Sequence, residues 1–216
     1  MKVIVFDLDD TLFKEIDYLK SAYIEIASFL QEKFLINDSF DSMLKMYGEG
    51  KNVFKELNIK YNLSIPLDFY LKMYRNHFPK ISLEYDISNT LSYLKQQGYP
   101  IGILTDGRKV TQRNKINSLG LFDYLDENLI VISEEFGTSK PNIYNYLYFQ
   151  NTFPNAELFY IGDNPQKDFI SANCLGWKTI CLLDNGLNIH KQDFSLSKEY
   201  LPSLFIKSIK EIKSIL

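Results

Sequence analysis

Five short stretches of this chain, residues 2–6, 100–105, 129–133, 157–161 and 178–183, are nearly continuous in apolar residues. A strand with one wet face would alternate apolar and polar side chains. These stretches do not, so each has to bury both of its faces, as strands do in a parallel sheet covered by helices on both sides. From residue 86 onward they alternate with helical patterns, the order that builds parallel strands joined by crossover helices. The helical pattern over 86–97 stops at Gly98 and the one over 110–119 at Gly120, each glycine allowing a left-handed cap. The expected fold class is therefore α/β: a Rossmann-like parallel sheet with helices on both faces. In such a sheet the ligand site lies at the carboxyl ends of the strands.

Those ends carry the chemistry. Val3-Ile4-Val5-Phe6 runs into Asp7-Leu8-Asp9-Asp10-Thr11, delivering two carboxylates, one residue apart, into a loop. One of them can attack phosphorus while the other handles the leaving-group proton. Aspartates also crowd strand ends because they favour turns, so the motif alone leaves both readings open. Ile101–Leu104 ends in Thr105-Asp106-Gly107, a hydroxyl and a glycine able to hold a phosphate oxygen by side chain and backbone N–H. Lys140-Pro141 sets an ammonium just ahead of a helical pattern. Leu158–Ile161 leads to Asp163 and Asp168, enough acid to give a hard divalent cation oxygen ligands.

In this order the four segments resemble the motifs of the haloacid dehalogenase-like hydrolase superfamily, over residues 2 to about 183. Asp7, Asp9 and Thr11 match its first motif, Thr105 its second, Lys140 its third, and Asp163 with Asp168 its fourth. The resemblance implies an Asp7 nucleophile, an Asp9 acid and base, and Lys140 as catalytic cation. It also implies Mg²⁺ on the Asp7 and Asp163 carboxylates and the Asp9 backbone carbonyl. Thr105, Asp106 and Gly107 would lie at the substrate phosphate, with Thr11 and Asp168 supporting from behind. An acid at position 9 is similar to the phosphatases and mutases of the superfamily and unlike its dehalogenases and phosphonatases. A Mg²⁺-dependent phosphatase of small phosphorylated metabolites is the first reading, a phosphomutase the alternative, and a retired binding module the third. Asp106 departs from the neutral residue common in relatives: either its side chain points away from the phosphate or the substrate preference differs.

Charge makes the cation and the lysine necessary under this reading. The four motif aspartates outweigh Mg²⁺ and Lys140 by about one charge, before a phosphate arrives.

Residues 14–83 break the alternation. Ile16, Leu19, Ala22, Tyr23, Ile26, Phe29 and Leu30 recur at helical spacing, and further helical stretches follow at 40–46, 52–57 and 67–78, the last preceded by Pro66. This segment resembles the superfamily's C1-type cap, a small all-helical unit inserted after the first strand. The expected division is a core of 1–13 and 84–216 with a cap of 14–83. Within it, Tyr47-Gly48-Glu49-Gly50-Lys51 is either a substrate-facing loop, with Lys51 meeting the substrate, or an ordinary helix connection with a solvated lysine. Arg75 and His77 are further cap candidates, a lone histidine near a helix end being more often structural; His190 lies outside every motif.

With 216 residues, 45% hydrophobic and 24% charged, the chain can bury one substantial core and a small accessory unit. A net charge of −3 gives no basis for nucleic-acid or anionic-membrane binding. The apolar run at the amino terminus is too short for an export signal, and no stretch could span a bilayer, so a cytoplasmic location is expected. The spacing of Cys174 and Cys181 fits neither a zinc pair nor a redox motif, and both are expected to be buried thiols. The apolar carboxyl-terminal stretch, Leu204 to Ile215, is expected to cover the core sheet.

Overall fold

The computed structural model describes residues 1–216. Its first strand, β1 (Lys2–Phe6), is followed by four helices, α1 (Glu15–Phe34), α2 (Ser39–Gly48), α3 (Val53–Lys60) and α4 (Leu67–Asn76). Helix α5 (Tyr85–Gln96) then leads into β2 (Ile101–Thr105), α6 (Lys109–Ser118) and β3 (Ile130–Ile132). After α7 (Ser133–Phe136) and α8 (Ile143–Thr152) come β4 (Glu157–Gly162), α9 (Ile170–Cys174) and β5 (Lys178–Leu182). The chain closes with β6 (Leu204–Ile206) and α10 (Ile212–Ile215).

The six strands form one parallel sheet in the order β3-β2-β1-β4-β5-β6. Successive side chains of a strand point to opposite faces, and that explains the unbroken apolar runs. Ile4, Phe6, Ile101, Ile103, Phe159 and Ile161 pack on one face with Ile87, Leu91 and Leu94 of α5 and Ile116 of α6. Val3, Val5, Leu104, Leu158 and Tyr160 pack on the other with Tyr146 and Phe149 of α8 and Ala172 of α9. Burying each large apolar side chain this way stabilises the fold by ~1.5–3 kcal/mol. Gly98 and Gly120 follow α5 and α6 with φ of 70° and 63°, the left-handed conformation expected of them.

The helical insert after β1 has its own apolar cluster, in which Leu19, Tyr23, Ile26 and Leu30 of α1 meet Met43, Val53, Leu57 and Tyr70. The residues at helical spacing in α1 therefore face α2, α3 and α4.

Two expectations need correction. The carboxyl-terminal stretch covers the sheet only in part: Ile209 and Ile212 join the core, but Leu204–Ile206 pairs with β5 and extends the sheet as its edge strand. The reason is that three residues are too few to show strand periodicity in sequence. Of the two cysteines, Cys181 is buried in the sheet while Cys174, at the end of α9, is exposed. No helix is long and apolar enough to cross a membrane.

Gly102 marks where β2 meets α8 most closely. A Cβ there would lie 2.5 Å from the Phe149 ring and 3.2 Å from the Leu129 carbonyl oxygen. Gly102→Ala should therefore destabilise the protein by ~1–3 kcal/mol through overpacking. Urea unfolding should show a lower midpoint at unchanged slope, and an unaltered midpoint would contradict this packing.

Candidate active site

Strand order decides where the motifs meet. The connections run outward in one direction through β2 and β3 and in the other through β4, β5 and β6, so the sheet's switch point lies between β1 and β4. Phe6 pairs with Ile161, and the Asp7 N–H donates to the Ile161 carbonyl at 2.8 Å. Asp7 and Asp163 thus leave adjacent strands at the same edge. Both are buried.

The loop after α7 brings Lys140 to this edge. Its Nζ lies 2.9 Å from Asp7 Oδ1 and 2.7 Å from Asp168 Oδ1, and donates to the Tyr160 hydroxyl at 3.0 Å. The other Asp168 oxygen accepts the Asn164 N–H at 2.8 Å. Asp168 is completely enclosed, and a Cβ at Gly162 would run into its carboxylate, so only glycine fits ahead of Asp163. Burial works against the Lys140 charge, but Asp168 and Asp7 outweigh it and hold the ammonium well above its usual pKa.

Asp7, Asp163 and Asp168 each offer a carboxylate oxygen within 4.8 Å of the others. Lys140 does not balance all three. Burial, helped by repulsion from Asp168 and Asp9, raises Asp7 to about 6, and burial together with Asp7 and Asp168 raises Asp163 to about 8. A buried all-oxygen set carrying uncompensated negative charge fits a hard divalent cation. Asp168 is already committed to Lys140 and Asn164, which leaves Asp7 and Asp163 as the carboxylates available to an ion.

Asp9 turns toward α6. Lys115 Nζ lies 2.6 Å from its Oδ1, and Gln112 Nε2 donates to its Oδ2 at 2.8 Å. Gln112 also donates to Thr105 Oγ1 at 2.6 Å, leaving the Thr105 hydroxyl proton free to donate elsewhere. Gly107 has φ 149°, and a Cβ there would press on Gln112 at 3.0 Å, so glycine is needed at this turn. Its N–H is taken by Ser133 Oγ at 2.9 Å. Asp106 turns toward the third-motif loop: its Oδ1 accepts the Lys140 N–H at 2.9 Å and its Oδ2 lies 3.4 Å from Lys167 Nζ. Thr11 is buried with no partner for its hydroxyl.

The insert's candidates sit apart from this cluster. Lys51 is half exposed and pairs with Glu49 at 2.7 Å. His77 is buried against the Tyr18 ring with Nδ1 2.9 Å from the Tyr74 carbonyl, and the Arg75 carbonyl accepts the Thr111 hydroxyl. His190 is exposed.

Four residues absent from the motif reading take part. Lys115 and Gln112 hold Asp9, Lys167 faces Asp106, and Asn188 Nδ2 donates to Asp163 Oδ2 at 2.9 Å. Asn188 in turn accepts from Lys14 Nζ at 2.7 Å, and Asp10, strained at φ 55°, accepts the N–H groups of Glu15 and Ile189. The loop after β5 is thereby tied to the loop after β1. Lys115 and Lys167 add two positive charges to the motif count and Asp106 one negative charge, so the deficit of about one that the motifs leave with Mg²⁺ present is closed. Adjacency to Asp168 was a signal for Lys167; for the other three the sequence offers none.

A family model for haloacid dehalogenase-like hydrolases matches residues 4–182, and the chain belongs to that family. A glyceraldehyde 3-phosphate phosphatase from Methanocaldococcus jannaschii is 28% identical over 198 residues, covering 85% of each chain. A second, from Methanothermobacter thermautotrophicus, is 27% identical over 239 residues across the full length of both. Among solved structures, the HAD-hydrolase YfnB from Bacillus subtilis, bound to magnesium, superposes with a TM-score of 0.69 at 21% identity, covering 100% of this chain and 98% of that one. That likeness establishes the fold.

A carboxyl group whose pKa is higher folded than unfolded binds its proton more tightly in the folded state, so stability falls as pH rises toward the folded value. Asp7 at about 6, Glu15 at about 7 and Asp163 at about 8 all act in this sense. With a chelator present, the Tm should fall as pH is raised from about 4 to about 8. Calorimetry that finds a flat Tm there would contradict the burial of this charge.

Proposed function

We propose that this protein is a Mg²⁺-dependent phosphatase of small phosphorylated metabolites that works through an aspartyl-phosphate on Asp7. The carrying observation is the enclosed Asp7–Lys140–Asp168 arrangement next to Asp163, with the partly open Asp9 carboxylate two residues beyond Asp7. The phosphatase activities named for the two archaeal relatives support the same reaction, and their substrate supports a sugar-phosphate-like class.

Asp7 attacks phosphorus as a carboxylate and needs no base to activate it. Lys140, held by Asp168, keeps that carboxylate charged and in place and offers its positive charge to the transferring group. Thr105 donates its free hydroxyl proton to a phosphate oxygen. Asp9 protonates the departing alkoxide, then takes a proton from the water that attacks the phosphorylated Asp7. The Asp7 and Asp163 carboxylates and the Asp9 backbone carbonyl would hold Mg²⁺, which supplies the charge that lets an anionic nucleophile approach an anionic phosphate. Asp106 serves this site from behind, through the Lys140 backbone, and Thr11 backs Asp7. Residues 14–83 act as a cap over a core of 1–13 and 84–216, with Lys51 at its outer edge.

Turnover of p-nitrophenyl phosphate should require Mg²⁺ and stop in excess EDTA; full activity in chelator would overturn the mechanism. Asp7→Asn should abolish steady-state turnover while preserving the melt, and retained turnover would identify a different nucleophile. Asp9→Asn should slow turnover by ~10²–10⁴-fold, since it loses proton transfer together with the ion pair to Lys115. Intact-mass spectrometry should then find a phosphorylated population in Asp9→Asn that is missing in Asp7→Asn. A panel of triose, pentose and hexose phosphates and nucleoside monophosphates, assayed with Mg²⁺, tests the substrate class.

A further inference from the structure

Helix α6 is polar along most of its length, and a polar helix ordinarily shows its charges to water. Lys115 and Gln112 do the opposite: their exposures are 3% and 1%. A buried ammonium costs several kcal/mol unless it is paired, so its partner is informative. Lys115 Nζ takes one oxygen of Asp9 and Gln112 Nε2 takes the other. Residues three apart on a helix lie side by side, so two donors from one rigid element grip both oxygens of one carboxylate. The ammonium also sits 4.4 Å from the centroid of the Tyr18 ring, which closes it off.

The helix itself is anchored. On its adjoining stripe, Thr111 donates to the Arg75 carbonyl at 2.9 Å, Asn114 to the His77 carbonyl at 3.0 Å, and Ser118 to the Pro79 carbonyl. These bonds fix α6 to the segment that closes the helical insert, so a long, flexible lysine is delivered to a fixed point. Exposure differs across the pair: the Asp9 side chain is 19% open, its lysine partner 3%. Asp9 can reach a substrate, whereas Lys115 reaches one through Asp9.

We propose that Lys115 is the positioning residue of the Asp9 carboxylate, holding it with Gln112 in the orientation from which it exchanges protons. This rests on the phosphatase reading above. Removing the ammonium releases one Asp9 oxygen and lets the carboxylate rotate out of line; attack by Asp7 on a good leaving group does not depend on that orientation, whereas hydrolysis of phosphorylated Asp7 does.

The test is a double-mutant cycle on the full chain with Mg²⁺, using Lys115→Met, Asp9→Asn and their combination, with p-nitrophenyl phosphate as probe. In Lys115→Met the pre-steady-state release of p-nitrophenol should persist while steady-state kcat falls ~10²-fold and KM falls with it, so that kcat/KM stays within a few-fold of the parent. On the Asp9→Asn background the same change should have little further effect, because coupled residues are not additive. Lys115→Arg, which keeps the charge on a longer arm, should recover about ten-fold of the loss. Should Lys115→Met fail to melt cooperatively, Lys115→Arg carries the cycle, its smaller loss again vanishing on Asp9→Asn. Losses that multiply in the double variant, or a burst that disappears with Lys115, would overturn the inference and leave the phosphatase reading standing. Absence of Mg²⁺-dependent turnover in the parent protein would overturn both.

Discussion

The Lys140 ammonium is enclosed by the protein and held by two carboxylates, Asp7 and Asp168, from two different loops. A desolvated ion is tolerated only when its pairing is complete, and breaking such a pair costs far more than the pair itself contributes. Several local features at the sheet edge follow from this. Gly162 has no Cβ because the Asp168 carboxylate occupies that space, and the Tyr160 hydroxyl and Asn164 N–H complete the polar shell around the pair. Asp106 fastens the Lys140 backbone from the neighbouring loop.

The same arrangement leaves Asp163 short of positive charge. Lys140 is spent on Asp7 and Asp168, so burial and repulsion dominate at Asp163, and the Asn188 amide is a neutral donor that relieves little of it. A site with this imbalance fits a hard cation. Asp9 lies outside the deficit because α6 gives it a lysine of its own. The two aspartates of the first motif therefore sit in different electrostatic surroundings although a single residue separates them: Asp7 shares its cation with Asp168, and Asp9 does not share Lys115. Under the proposed function, that difference suits one for attack and the other for proton transfer.

Strand order supplies the remaining constraint. Because β1 and β4 are neighbours at the switch point, residues 156 apart in sequence, Asp7 and Asp163, emerge side by side. The helical insert enters directly after the first motif and returns through the segment at Arg75–Pro79, which lies against α6. The insert is thus joined to the core at the helix that grips Asp9.

Much of this was legible in the chain itself. Unbroken apolar runs imply strands buried on both faces, glycines 98 and 120 end the helices before and after β2, and the order of Asp7, Asp9, Thr105, Lys140, Asp163 and Asp168 identifies the family, because these are local patterns of residue type and spacing. The edge strand β6 was not legible, since three residues carry too little periodicity, nor was the exposure of Cys174. Asp106 reads in sequence as an extra negative charge at the phosphate, and only the placement of Lys167 and the Lys140 N–H turns it into a brace. No local pattern sets Lys115, Gln112 or Asn188 apart in the sequence. These hydrogen bonds and ion pairs join residues from 25 to 106 positions apart and depend on how helices and loops dock, and docking is a property of the packed sheet and its helices, with no local pattern to announce it.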